Sequence, residues 1–147
     1  MEHCKVKIMN RSKNPLPKYA TEGAAGMDLH ADIDSEILLK PMEIKMIPTG
    51  IHIGLPVGYE AQIRARSGLS SKFGITLING IGTIDSDYRG EIKVPLINLG
   101  SETYVFQPGE RICQMVVKKY ITATLDLVDI LDDTDRGQGG FGHSGKK

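Results

Sequence analysis

The sequence predicts an all-β domain, and three observations carry that prediction. Short runs alternate apolar and polar residues with period two. Turn-forming clusters separate those runs at close intervals, in a chain with 17 Gly and 7 Pro. Only one stretch has helical spacing, and it is short. Many short strands with turns between them imply a sandwich, a barrel or a jelly roll.

The elements follow in chain order. Lys5-Val6-Lys7-Ile8 alternates cleanly and reads as a strand. Leu55-Pro56-Val57-Gly58 is a turn, and Tyr59 to Arg66 is the clearest strand. Tyr59, Ala61, Ile63 and Ala65 fall on one face there, with Glu60, Gln62, Arg64 and Arg66 on the other. The short helix follows, with Ser67 as its N-cap, Leu69 and Phe73 at i, i+4, and Gly74 as its stop. Asn79-Gly80 reads as a tight hairpin turn. Asp85 to Gly90 and Gln107-Pro108-Gly109-Glu110 are further turns. From Glu91 to Asn98, Ile92, Val94 and Leu96 share a face, and Pro95 on the other suggests an edge strand or a bulge. Arg111 to Ile121 is a longer, more buried strand. The division expected is a β domain over residues 1–131 and a glycine-rich tail, 132–147, mobile without ligand.

Bulk properties narrow the function. The 147 residues suit one domain. A chain of this size hides roughly 68–70% of its unfolded surface and needs no staples. Its 18 basic and 18 acidic residues cancel, which argues against a general nucleic-acid coat or a polybasic membrane binder. Cys4 and Cys113 form no CxxC pair and are read as reduced thiols. The opening residues have no long apolar run, and no stretch reaches a membrane-spanning length, so the cytoplasm is the expected location. His3, His30, His52 and His143 are scattered, so no protein-built metal cage is expected. Any metal used should be Mg²⁺, held mainly by substrate phosphates and water.

Three segments have the chemistry to handle an anionic ligand. In Ala65 to Ser70 a strand delivers Arg66 to the start of a helix, where Arg66, Ser67 and Gly68 could hold phosphate. An ordinary N-cap beside a surface arginine would look the same. In Leu77 to Gly90 the turn offers backbone donors and acceptors to a flat base. Asp85, expected to be partly buried, has the chemistry of a general base, though Asp85 and Asp87 also suit plain turns. Tyr88 could lie under a sugar ring. In Arg136 to Gly145 successive glycines can turn N–H groups toward an anion, and Phe141 could stack on a base. This segment is not a P-loop, and alone it reads equally well as a disordered tail.

Five segments, in order, resemble the motifs of the trimeric dUTPase family. They are Ala24-Ala25-Gly26-Met27-Asp28-Leu29, Arg66-Ser67-Gly68-Leu69, Asn79 to Gly90, Gly109-Glu110-Arg111-Ile112-Cys113-Gln114, and Arg136 to Gly145. Each alone is weak; five in register from residue 24 to 145 are strong. The resemblance implies a jelly-roll subunit, a distorted β-barrel, in a homotrimer whose sites are shared among three chains. It implies hydrolysis of dUTP to dUMP and pyrophosphate with Mg²⁺, limiting uracil in DNA and supplying dUMP for thymidylate synthesis. It makes Asp85 the general base that orients the attacking water. Asn79, with the backbone around Gly82 and Thr83, reads uracil, and Tyr88 packs on deoxyribose. Arg66, Ser67, Gly68 and Gln114 hold phosphates. The tail closes as a lid, with Arg136 toward the γ-phosphate, Phe141 over uracil, and Gly142, His143 and Ser144 beside the ligand. Asp28 lies near Mg²⁺, reached through water.

His143-Ser144 stands where many relatives have Ser-Thr, and Thr83 occupies an often apolar position; neither removes a catalytic group. A dCTP deaminase of the same superfamily would need a glutamate base, and the third motif holds none. A non-catalytic dUTP binder would have lost Asp85, Arg66 or the tail. A purely structural jelly roll would need none of them.

Overall fold

The structure, a computed structural model, describes residues 3–141. Eleven strands and one helix follow one another: β1 Lys7–Asn10, β2 Met27–His30, β3 Ile37–Leu39, β4 Ile44–Pro48, β5 Ile51–Gly54, β6 Tyr59–Arg64, α1 Ser67–Phe73, β7 Ile75–Leu77, β8 Gly82–Ile84, β9 Lys93–Asn98, β10 Tyr104–Phe106 and β11 Arg111–Lys119. All ladders are antiparallel. They form four sheets, ordered β1-β5, β10-β3, β2-β11-β6-β8 and β4-β9-β7. Among the described residues they do not close into a hydrogen-bonded barrel. Buried residues from all four sheets, including Leu29, Leu39, Ile53, Ile63, Leu96 and Phe106, join in one apolar cluster. Burying each such side chain contributes roughly 1.5–3 kcal/mol.

The alternation in the sequence is realised in β6, where Ala61 and Ile63 are buried between half-exposed neighbours. The first strand begins two residues later than the Lys5–Ile8 pattern suggests. Pro95 corrects a second expectation. It lies in β9, the central strand of its sheet, not on an edge or in a bulge. The fold tolerates it because its carbonyl accepts from Ile78 N–H (3.0 Å), just past the end of β7. The missing proline donor therefore faces the last rung of that ladder, where the strand gives way to a turn.

Two buried polar residues fix the sheet connections. Asn98 donates to the carbonyls of Leu39 and Glu102 (both 2.8 Å) and accepts from Gly100 N–H (2.8 Å). Thr49 donates to the Ile92 carbonyl at 2.6 Å. No buried side-chain polar atom among the described residues lacks a partner. Gly74 ends α1 in the left-handed region, φ 71°. It also lies so close to Gly100 that a Cβ would sit 2.5 Å from the Gly100 nitrogen. Only glycine satisfies both demands.

Among the described residues no strand follows β11. Ile121, Leu125, Leu127, Ile130 and Leu131 are strongly exposed.

Candidate active site

The four-stranded sheet positions the predicted residues. Across it, Asp28 of β2 stands opposite Gln114 of β11, which stands opposite Arg64 of β6. The first, second and fourth motifs therefore meet at one end of one sheet. Just past β6 the chain turns into α1, and Arg66 is the helix N-cap in extended conformation (φ −85°, ψ 129°). Ser67 is thus the first helical residue and not the cap, and no side chain caps the helix. The strand ends at Arg64, two residues short of the Tyr59–Arg66 run, and the chain stays extended at Arg66, which is drawn back over the sheet by its partners.

Those partners are specific. Arg66 Nε donates to Asp28 Oδ1 at 3.2 Å, and Arg66 Nη1 donates to the Arg111 carbonyl at 3.1 Å. Arg111 Nη1 donates to Asp28 Oδ2 at 3.1 Å. One carboxylate thus bridges two guanidiniums, leaving a net positive cluster suited to an anion. Gln114 Nε2 donates to the Ala65 carbonyl at 3.0 Å, immediately before Arg66. Gly26 of the first motif makes room for it: a Cβ there would lie 2.7 Å from Gln114 Oε1. Beside the cluster, burial lowers the pKa of His30 despite the opposing pull of Asp28, and Arg111 and Arg66 add to the lowering. Ser67 and Gly68 are exposed on the opening turn of α1.

The third motif lies elsewhere. Asn79-Gly80 does make a tight turn, with Gly80 at φ 71° and Ile81 N–H bonded to the Asn79 carbonyl at 2.8 Å. It is not a hairpin between paired strands, however. β7 pairs with β9 and β8 pairs with β6, so the turn carries the chain from one sheet to another. Short apolar strands with a turn between them look alike whether they pair or part. Asn79 and Thr83 are exposed, and Gly82 lies close under Asn79: a Cβ there would meet its amide nitrogen at 3.5 Å and Ile63 at 3.3 Å. Asp85 is exposed and not partly buried, because β8 is the sheet edge and ends at Ile84. Tyr88 folds over Gly90 and donates to the Glu91 carbonyl at 2.9 Å. A Cβ at Gly90 would sit 2.3 Å from the Tyr88 hydroxyl oxygen, so glycine is required for the ring to lie there.

Within the chain, Asp85 and the arginine cluster are far apart. Ile84 stands opposite Ala61, so Asp85 lies level with Glu60, whereas Arg66 lies six residues further along the β6 line and bonds Asp28 on the far edge strand. At about 4.8 Å per strand and 3.3 Å per residue, that is roughly 20 Å. The fifth motif is not brought to either edge. Arg136 Nε donates to the Gly139 carbonyl at 2.8 Å, closing a local turn, and Phe141 is fully exposed with φ 49°. The predicted Gly142, His143 and Ser144 lie outside the described residues.

A cleft of about 550 Å³ opens beside β1 and β5, lined by Lys5, Lys7, His52, Leu55 and Arg89 among others, and contains none of the predicted residues. A smaller one of about 410 Å³ is lined by Met46, Ile84, Tyr88, Glu91, Ile92 and Lys93. Both cysteines are free, and burial pushes the Cys113 thiol well above its usual range, so it is an inert core residue. Arg111, which the sequence offered only as a letter within the fourth motif, proves to be a full member of the cluster. Its position at the start of an apolar strand, between Glu110 and two buried residues, was the available signal.

The fold and this site define a β-sheet protein with an arginine–carboxylate cluster at one end of its four-stranded sheet and a separate exposed carboxylate. The family model for dUTPase matches residues 12–145. The deoxyuridine 5'-triphosphate nucleotidohydrolase of Finegoldia magna is 61% identical, over 96% of this chain and 99% of the relative. That of Fusobacterium nucleatum is 49% identical, over 99% and 100%. Among solved structures, a Staphylococcus bacteriophage 80alpha dUTPase with dUpNHpp superimposes with a TM-score of 0.84 at 25% identity, covering 96% of this chain and 98% of that one. A phage phi11 dUTPase, described as coordinating a structural Mg(II) ion, shares the fold at 21% identity and a TM-score of 0.79. The chain belongs to the dUTPase family, and its fold is that family's jelly roll.

Proposed function

We propose that this protein hydrolyses dUTP to dUMP and pyrophosphate, at sites shared between copies of the chain in a homotrimer. The observation that carries the reading is the row Asp28–Gln114–Arg64 across β2, β11 and β6, with Arg66 folded back onto it. Family membership supplies the substrate.

In this reading Arg66, Ser67, Gly68 and Gln114 hold the phosphate chain. Asn79, with the turn backbone to Gly82 and Thr83, reads uracil, and Tyr88 packs on deoxyribose. Asp85 orients a water for in-line attack on the α-phosphorus and takes its proton. Charge building on the phosphoryl oxygens meets the preorganised donors of Arg66. The tail closes over the ligand, with Arg136 toward the terminal phosphate and Phe141 over the base, and Gly142, His143 and Ser144 beside them; closure excludes bulk water. Two observations support assembly. Asp85 and Arg66 lie too far apart in one chain to serve one phosphate, and the exposed apolar residues from Ile121 to Leu131 suit burial against another copy.

Mg²⁺ is the expected cofactor. Among the described residues no group of three or more His, Cys, Asp or Glu side chains converges. Asp28 alone, partly exposed and already accepting from two arginines, fits an outer contact through water and not a cage. Bound with the phosphates, the ion would neutralise their charge. Removing dUTP and supplying dUMP for thymidylate synthesis is the role this activity would serve. No helix among the described residues is long and apolar enough to cross a membrane.

The test is pyrophosphate release from dUTP, dCTP, dTTP and UTP, with and without Mg²⁺. Turnover of dUTP alone, dependent on Mg²⁺, is the expected outcome. Binding of dUTP without hydrolysis would point to a regulatory binder, and ammonia from dCTP to a deaminase.

A further inference from the structure

The strand that carries Arg111 is irregular where it begins. Cys113 stands opposite Leu29, and regular pairing would then set Arg111 opposite Ala31, on the buried face. Instead the register shifts between Arg111 and Cys113, and Arg111 stands opposite His30. Ile112 is the extra residue of a β-bulge, and Ile112 and Cys113 are buried in succession. The bulge moves Arg111 to the face of Asp28 and closer to it by one residue.

There Arg111 makes two contacts of different kind. Its guanidinium holds one oxygen of Asp28 (3.1 Å), whose other oxygen holds Arg66 Nε (3.2 Å). Its backbone carbonyl receives Arg66 Nη1 (3.1 Å). Arg66 is thereby fixed on two of its five donors, with both Nη2 protons directed elsewhere. The side chain of Arg111 is 57% exposed, so its ion pair adds little to stability. A bulge that lifts this residue onto the site face therefore has its main consequence at Arg66.

We infer that Arg111 is a positioning residue: through Asp28 it fixes the orientation of the Arg66 guanidinium toward the substrate phosphates. This rests on the function proposed above, and on the placing of Arg66 at a phosphate. Arg111 orients the carboxylate, the carboxylate orients Arg66, and Arg66 makes the contact. Replacing the Arg111 side chain removes the Asp28 arm and leaves the carbonyl in place.

The experiment is a double-mutant cycle on the full chain, read as kcat/KM for dUTP with Mg²⁺. It uses wild type, Arg111→Met, Arg66→Met and the double variant, with melting temperature and oligomeric state as controls. Arg111→Met should lower kcat/KM about tenfold or more in the wild-type background and less than about twofold in the Arg66→Met background, the coupling expected of groups in one network. Arg111→Lys, which keeps a charge toward Asp28, should recover most of the loss. Equal losses in both backgrounds would mean that Arg111 touches substrate itself, and no loss in either would make it a plain surface ion pair; each overturns the inference. If Arg111→Met does not fold, the cycle is run with Arg111→Gln and Arg66→Lys, and additive losses again overturn it. A wild type that neither binds nor turns over dUTP removes the functional reading, and the role of Arg111 falls with it. Wild-type turnover with an additive cycle removes the role of Arg111 alone.

Discussion

Along the β2 edge of the four-stranded sheet the charged side chains are paired within the chain, whereas along the β8 edge they are not. Asp28, Arg66 and Arg111 hold one another at 3.1–3.2 Å. On β8 and just beyond it, Thr83 and Asp85 are exposed, and among the described residues neither side chain has a hydrogen-bond partner. In the proposed function, one edge is a half-site whose donors are already oriented by these bonds. The other offers an exposed carboxylate, whose role as the proposed base needs a phosphate that this edge of the single chain does not hold. Preorganisation of phosphate donors can be built locally, because cross-strand register fixes it. Bringing a base to the same phosphate across roughly 20 Å cannot, and assembly is the physical way to do it.

The largest effect should come from the unfinished edge. Asp85→Asn should lower kcat by about 10²- to 10⁴-fold, the range for loss of a general base. Its melting temperature and its affinity for a non-hydrolysable dUTP analogue should stay near wild type, since the Asp85 side chain has no hydrogen-bond partner among the described residues and only its carbonyl, which the substitution keeps, accepts from Tyr88 N–H. A large loss of stability would show instead that Asp85 is a structural turn residue.

A smaller effect belongs to the tail. Truncation after Leu131 should lower kcat/KM by roughly 10²-fold through loss of lid closure. Unfolding should be unchanged, because residues 132–138 lie exposed and their hydrogen bonds reach only one another and Gly139. Activity that survived the truncation would remove the fifth motif from the site.

The smallest effect concerns how the finished edge is anchored. Tyr104 of β10 donates to Glu110, whose other oxygen accepts from Gln107 N–H at 2.9 Å, so this carboxylate braces the turn that leads into Arg111. Burial, and then the Glu110 bond, raise the Tyr104 pKa well above its ordinary value of 10.0. A raised folded-state pKa gives stability that is fully present below pH 10 and is lost as the pH rises beyond it. Tyr104→Phe should therefore cost about 1–2 kcal/mol in denaturant unfolding at neutral pH and flatten the alkaline fall. An unchanged alkaline fall would assign it to other groups.

Much of this was legible in the sequence, and what was missed has identifiable causes. The alternation in β6 and the turn at Gly109 were readable because each is a local preference. Gly74 was readable as a helix stop for the same reason. Pro95 misled because its missing donor matters only where a partner strand continues, and β7 stops in time. Asn79-Gly80 misled because a tight turn says nothing about whether its flanking strands pair. Ser67 reads as the cap from side-chain type alone, whereas the bond between Arg66 and Asp28 joins residues 38 apart and leaves no local pattern. The site residues of the β2 edge could be named from their motifs. That Arg111 joins them depends on a one-residue register shift, which no local pattern announces.

The central claim is that each site joins the arginine cluster of one chain to Asp85 of another. Co-refolding the inactive variants Asp85→Asn and Arg66→Ala in equal amounts tests it directly. If the two residues come from different chains, random assembly joins wild-type copies of both in about a quarter of sites, and dUTP turnover should return to roughly that fraction of wild type. If both residues act within one chain, every site carries a defect, and the mixture should stay as inactive as its components.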